Sequence, residues 1–244
     1  MTERPGIKVF PSTGELVKAA AEEMIGTINR AIGERGECFV ALSGGETPRT
    51  AYRILGSAPL KNLVEWDYVH FFFGDERAVP PDSPQSNFGM VNLELFSRIS
   101  IPPENIHRIS GEKEALAASE EYERKLRHFS GDGGLRFDLV LLGLGEDGHT
   151  ASLFPRTDAV TAKGFLVRPV FVPRFDAWRI TLTLECINNA RRAMFLVAGK
   201  PKAVMARRIL AGGRPDPEMP ASLVSLQEGE ILWMLDREAA SLLG

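Results

Sequence analysis

The chain has 244 residues, 44% of them hydrophobic and 25% charged, with a formal net charge of −3. That length can bury a substantial core without staples. The charge balance excludes a broad basic surface for nucleic acid, and no apolar run approaches the roughly 18 residues of a membrane helix. Cys38 and Cys186 lie far apart, outside any CxxC or metal-like cluster, and read as buried, reduced thiols. Met1 to Gly6 lacks the apolar stretch of a signal peptide. A soluble, cytoplasmic protein is expected.

Ile7 to Phe10 reads as a short strand. Ser12 or Thr13 can cap the helix that follows, in which Leu16, Ala20, Met24, Ile28 and Ile32 recur at helical spacing. Gly33 and Gly36 are expected to end it. Cys38 to Leu42 is a buried strand, followed by Ser43-Gly-Gly-Glu-Thr-Pro48 and a helix through Leu55. Pro48 suits a first helical turn. Trp66 to Phe73 predicts the next strand, ending in Gly74-Asp-Glu-Arg77. A loop from Pro80 to Ser86 precedes a helix from Asn87 to about Ile99, and Ile106 to Ile109 suggests a short strand. Glu112 to Phe129 predicts an amphipathic helix, with Ser130 to Gly134 as its loop exit.

Leu139 to Leu142 is an almost pure apolar run, the pattern of a strand covered on both faces in a parallel sheet. Pro155 to Gly164 is irregular. Phe165 to Val172 and Arg179 to Leu184 read as extended, and Cys186 to Ala190 as a turn or short helix. Met194 to Ala198 is a buried strand, followed by Gly199-Lys-Pro-Lys202 and a helix to Leu210. Ala221 to Val224 suggests a short helix, Ile231 to Leu235 a last strand and Arg237 to Leu243 a closing helix. Alternating strands and helices predict a doubly wound α/β fold: a mostly parallel sheet with helices on both faces. No linker divides the chain, so a single domain over 1–244 is expected, with 155–184 as a flap or subdomain.

Four of these strands end in glycine and then in polar or charged residues. The exits are Ser43-Gly-Gly, Gly74-Asp-Glu-Arg, Gly143-Leu-Gly-Glu-Asp-Gly-His and Gly199-Lys-Pro-Lys. In a parallel sheet they share one edge and line one crevice, where open α/β sheets hold their ligands. Ser43, Gly44, Gly45 and Thr47 sit between a strand and a helix, where backbone N–H groups suit a phosphate or carboxylate. A tight turn with a capped helix reads the same way. The loop is neither GxGxxG nor a P-loop, so no dinucleotide or ATP is indicated.

Arg77, beside Asp75 and Glu76, can fork onto a phosphate; a local salt-bridge cluster fits equally. Lys202 lies near a helix N-terminus, where a cation opposes the dipole unless an anion is present; a solvated lysine is the plain alternative. His149 alone among the four histidines follows a glycine-rich strand exit, and an imidazole there can take a proton from water. Asp147 either fixes its tautomer or carries the proton itself. A structural histidine would show the same spacing. With no second His or Cys nearby and no GxSxG elbow, neither a metal, a cofactor nor a covalent nucleophile is called for.

The strings Ser43 to Pro48, Gly74 to Arg77 with Ser86-Asn87, and Gly143 to Pro155 resemble the 6-phosphogluconolactonase family. Arg179-Ile-Thr-Leu-Thr183, Asn188-Asn189, Gly199 to Lys202 and Pro220-Ala-Ser222 extend the match over nearly the whole chain. A related group, the glucosamine-6-phosphate deaminases, shares the Asp-Glu and Asp-Gly-His elements. Those carry tyrosine where this chain has Arg77, and a different string after the histidine. Two departures from the family pattern stand out: Arg156 where glycine is common, and Asp176-Ala-Trp178 where a Pro-Pro pair is common.

The resemblance implies hydrolysis of 6-phospho-D-glucono-1,5-lactone, the second step of the oxidative pentose phosphate pathway. His149 would be the general base and Asp147 its orienting partner. Arg77, Lys202 and the Ser43–Thr47 backbone would hold the phosphate with help from Arg179, while Asp75 and Asn87 would meet sugar hydroxyls or water. The expected partner is a small sugar-phosphate lactone, with neither nucleic acid nor membrane, and the chain a monomer or weak homodimer. A deaminase/isomerase acting on glucosamine 6-phosphate and a non-catalytic sugar-phosphate sensor are the alternatives.

Overall fold

Buried apolar runs build the central sheet of the computed structural model, which describes residues 6–129 and 135–244. The expected loop exit at Ser130 to Gly134 lies outside the described residues. β1 (Ile7–Phe10), β2 (Cys38–Leu42), β3 (Val69–Phe73), β5 (Leu139–Leu142), β8 (Arg192–Val197) and β9 (Glu230–Asp236) form six parallel strands. Their order is β1-β9-β8-β5-β2-β3. The chain leaves β2 toward β3 on one side and leaves β5 toward β8 on the other. Adjacent strands that feed opposite directions open a crevice between their carboxyl ends, so the switch point lies between β2 and β5. Every residue of β5 and β8 is buried, the signature of strands covered on both faces.

α1 (Thr13–Arg35) follows its predicted apolar stripe. The Ser12 side chain accepts the Glu15 N–H as an N-cap. Gly36, at φ 83°, ends the helix in the left-handed conformation, whereas Gly33 lies inside it. α2 (Glu46–Leu55) and α3 (Asn87–Glu94) follow strand exits on the cavity side of the sheet. α4 (Ala115–His128) packs against the second sheet described below, and α7 (Ala203–Leu210) follows β8. No described helix is long and apolar enough to cross a membrane.

Several local expectations change. Trp66–Tyr68 is a 3₁₀ turn before β3, and Ile106 makes only an isolated bridge to Phe71. α3 stops at Glu94 and continues only as a 3₁₀ turn over Phe96–Arg98. Pro155 to Gly164 contains a single helical turn, α5 (Asp158–Thr161), and α6 (Leu184–Asn188) begins two residues before the expected turn. Arg237 to Leu243 forms turns, not a closing helix. There the Asp236 carboxylate takes the Ala239 N–H and also the Gly199 N–H, so it ties the segment back to the sheet edge.

The main topological correction concerns Gly74 to Arg77. β4 (Asp75–Arg77) is a strand of a separate antiparallel sheet, ordered β4-β7-β6 with β7 (Ala177–Leu182) and β6 (Val167–Val172). The chain crosses between sheets at Gly74, whose N–H donates to Leu42 O and whose carbonyl accepts Leu182 N–H, each at 2.8 Å. The expected flap is therefore built partly from residues far upstream of it, Asp75 to Arg77.

Candidate active site

Two fully buried tyrosines fix the exits of β2 and β3. Tyr52 Oη accepts the Ser43 N–H at 3.0 Å and donates to Ser43 O at 2.8 Å. Tyr122 clamps Phe73 in the same way, at 2.7 and 3.1 Å. Burial pushes both phenols well above their ordinary pKa, so they stay neutral and serve as donor and acceptor together. These clamps aim the Ser43 and Gly74 loops at one place.

That place is a cavity of about 430 Å³ over the switch point. Ser43, Gly44, Gly45, Thr47, Asp75, Arg77, Asn87, His149, Arg179 and Lys202 all line it. Lys200 does not. Asp147 does not either: it stands behind His149 and lines a neighbouring cavity.

His149 Nδ1 lies 2.5 Å from Asp147 Oδ1, and the same oxygen takes the His149 N–H at 3.3 Å. Burial acts to raise the Asp147 pKa. The hydrogen bonds and charge of His149, with Arg174 beyond, outweigh it and hold the carboxyl down at about 2. An ionised Asp147 makes Nδ1 the protonated nitrogen and leaves Nε2 to accept a proton. The His149 ring stacks on Phe154, centroids 4.2 Å apart, which restricts its rotation. Gly145 is required beneath the pair, because a Cβ there would collide with both the imidazole and the Asp147 carboxylate. Gly148, at φ 85°, makes the turn between them. The other described histidines are elsewhere. His70 and His107 stack on each other within an aromatic cluster, and His128 lies on α4.

The opposite wall is cationic. Arg77 and Arg179 face each other across the β4–β7 ladder. Like charges directly opposite are destabilising in a sheet. Both Nε atoms are buried without a hydrogen-bond partner, as is Ser43 Oγ. Among the described residues the Arg77 side chain donates only to the Gln85 carbonyl, and neither arginine has an ion-pair partner within 4 Å. Burial, with Arg77 and Arg174 nearby, lowers the Arg179 pKa despite Asp75. Lys202 adds a third cation, 4.0 Å from Glu146 at the rim. Gly45, at φ 104°, starts α2 without any side-chain cap, so the first N–H groups of that helix remain available. Three cations, an uncapped helix start and an orphan hydroxyl in one cavity suit a phosphate.

Asp75 and Asn87 form the wall between. Asn87 Nδ2 donates to Asp75 O and Oδ1 at 2.9 and 3.2 Å, and Ser152 Oγ donates to Asp75 Oδ2 at 2.5 Å. Gly44 lets Asn87 approach, since a Cβ there would overlap its side chain. Glu76 turns out to be structural. Its buried carboxylate accepts the N–H groups of Arg77, Asn87 and Phe88 and the Ser86 hydroxyl, capping α3. Burial nonetheless raises its pKa, against those hydrogen bonds.

Sequence reasoning missed Phe154, Phe175, Ser152 and Arg174. Ser152 and Phe154 lie in the Gly143–Pro155 string, which could have marked them; no local pattern marks Arg174 and Phe175, which only the fold brings to the site. Among the described residues, no group of three or more His, Cys, Asp or Glu side chains gathers as a metal site.

A family model described as glucosamine-6-phosphate isomerases/6-phosphogluconolactonase matches residues 11–233. The chain belongs to that family. Within it, the chain is 38% identical over 240 residues to a 6-phosphogluconolactonase of Synechocystis, covering 96% of this chain and 97% of that one. It is 37% identical over 247 residues to the 6-phosphogluconolactonase of Homo sapiens, covering 98% and 94%. The solved 6-phosphogluconolactonase of Trypanosoma brucei superposes with a TM-score of 0.86 at 30% identity, covering 99% of each chain.

Proposed function

We propose that this family member hydrolyses 6-phospho-D-glucono-1,5-lactone to 6-phospho-D-gluconate. The observation that carries the reading is His149, backed by Asp147, facing the same cavity as the unpaired Arg77 and Arg179. The family model spans isomerases and lactonases alike, but relatives at 37–38% identity over 96–98% of the chain bear the lactonase name.

His149 Nε2 takes a proton from water as its oxygen attacks the lactone carbonyl carbon. Asp147, ionised throughout, stabilises the imidazolium that forms. Collapse of the tetrahedral intermediate breaks the bond between that carbon and the ring oxygen, and the leaving oxygen recovers the proton from His149. Arg77, Arg179 and Lys202, with the Ser43–Thr47 backbone, hold the phosphate. That binding anchors the far end of the substrate and fixes the carbonyl against the base. Asp75 and Asn87 bound the wall where the sugar hydroxyls lie.

The test is lactone opening above the spontaneous background, with ammonia release from glucosamine 6-phosphate as the contrast. The wild type opens the lactone and releases no ammonia. His149→Ala, folded by circular dichroism, loses about 10²–10⁴-fold in kcat. Ammonia release, or full turnover by His149→Ala, would overturn the reading. Tight 6-phosphogluconate binding without turnover would indicate a sensor instead.

A further inference from the structure

The tip of the β6–β7 hairpin reaches back to the catalytic pair. Pro173–Phe175 form a 3₁₀ turn, and Asp176, at φ 46°, swings the chain into β7. That turn presents two side chains. Arg174 Nη1 donates at 3.2 Å to Asp147 Oδ2, the oxygen that His149 leaves unused. Phe175 lines the substrate cavity, its ring centroid 4.5 Å from Arg174 Cζ and 5.2 Å from Arg179 Cζ.

The division of Asp147 between two partners matters for its orientation. Oδ1 serves the imidazole and the His149 N–H, while Oδ2 serves Arg174. The last torsion of an aspartate is a broad, soft well. A carboxylate held through one oxygen can rock in that well and carry the imidazole with it; one held through both cannot. The Arg174 side chain is 59% exposed, so its ion pair contributes little to stability. Stacking on Phe175 holds the guanidinium in place instead.

We propose that Arg174 is a positioning residue for the hydrolysis: from the hairpin tip it locks the Asp147 carboxylate, and so keeps His149 Nε2 directed at the attacking water. The proposal rests on the reading of His149 as general base. Other charges near the pair are engaged elsewhere. Arg179 belongs to the cationic wall, Lys202 faces Glu146, and Arg156 forks onto Glu218 across the neighbouring cavity.

The variants are Arg174→Gln, Arg174→Lys and, as a control of equal charge, Arg156→Gln. Lactone turnover by the wild type is measured first; its absence would overturn the function reading and this proposal with it, whereas the variant results bear on this proposal alone. Given turnover, Arg174→Gln lowers kcat about tenfold, with KM changed less than about twofold and the melting temperature unmoved. Its acid limb in kcat/KM shifts to higher pH, because the Asp147 carboxylate loses its external counter-charge and favours the imidazolium more strongly. Arg174→Lys restores most of kcat and returns the limb, and Arg156→Gln matches the wild type in both. Three results overturn the proposal: unchanged kcat and limb in Arg174→Gln, a rise in KM alone, or an equal limb shift in Arg156→Gln.

Discussion

At the scale of single residues, the site depends on where protons reside. Asp147 is held at a pKa of about 2, so it is ionised at neutral pH and well into the acid range. The sign for stability is equally definite. A depressed folded-state pKa means that the Asp147 contribution is fully present above the unfolded carboxyl pKa, about 3.9. It is lost as pH falls toward about 2. Urea unfolding of wild type and Asp147→Asn should differ near neutrality and converge at the acid end. A difference that persists unchanged there would mean that Asp147 is not ionised in the folded protein. The role of Asp147 was open in the sequence, as orienter or proton carrier. Its low pKa and its position behind His149, outside the substrate cavity, favour the orienter.

At the scale of elements, Glu76 shows why a charged triplet resists interpretation from sequence. Asp75, Glu76 and Arg77 are adjacent but alternate in direction along β4. Arg77 and Asp75 line the cavity, while Glu76 turns away to cap α3, the helix that begins with Asn87. Glu76→Gln replaces one acceptor oxygen with a donor facing buried N–H groups. It should cost about 1–3 kcal/mol in urea unfolding and weaken activity through Asn87. No loss in either would mean that α3 does not depend on this cap. β4 itself was illegible because three residues carry no period; its pairing with β7 makes it a strand. Two unusual turns fall where the chain departs from the family pattern. Arg156, at φ 64°, and Asp176, at φ 46°, both adopt the left-handed conformation. The fork from Arg156 to Glu218 helps hold the first. The second shapes the tip that carries Arg174.

At the scale of the whole molecule, a chain of net charge −3 concentrates three cations in one cavity. Inorganic phosphate should therefore stabilise the wild type by mass action, approaching about 2.7 kcal/mol at a hundredfold excess over Kd. Arg77→Ala and Arg179→Ala should each lose most of that gain, read as the shift in melting temperature with added phosphate. Equal shifts in all three proteins would place the anion elsewhere.

The sequence by itself determined the strands of the central sheet, the α1 stripe and the four glycine-to-polar exits, because buried strands and amphipathic helices impose local periods on the chain. Through those exits it also determined most of the residues that line the cavity, and through their resemblance the family. Only the tertiary structure decided which charges face the cavity and which are structural. Arg77 opposite Arg179, Asp147 behind His149 and Arg174 behind Asp147 are contacts between distant segments. Ladder pairing and close packing set them, and no local pattern records either.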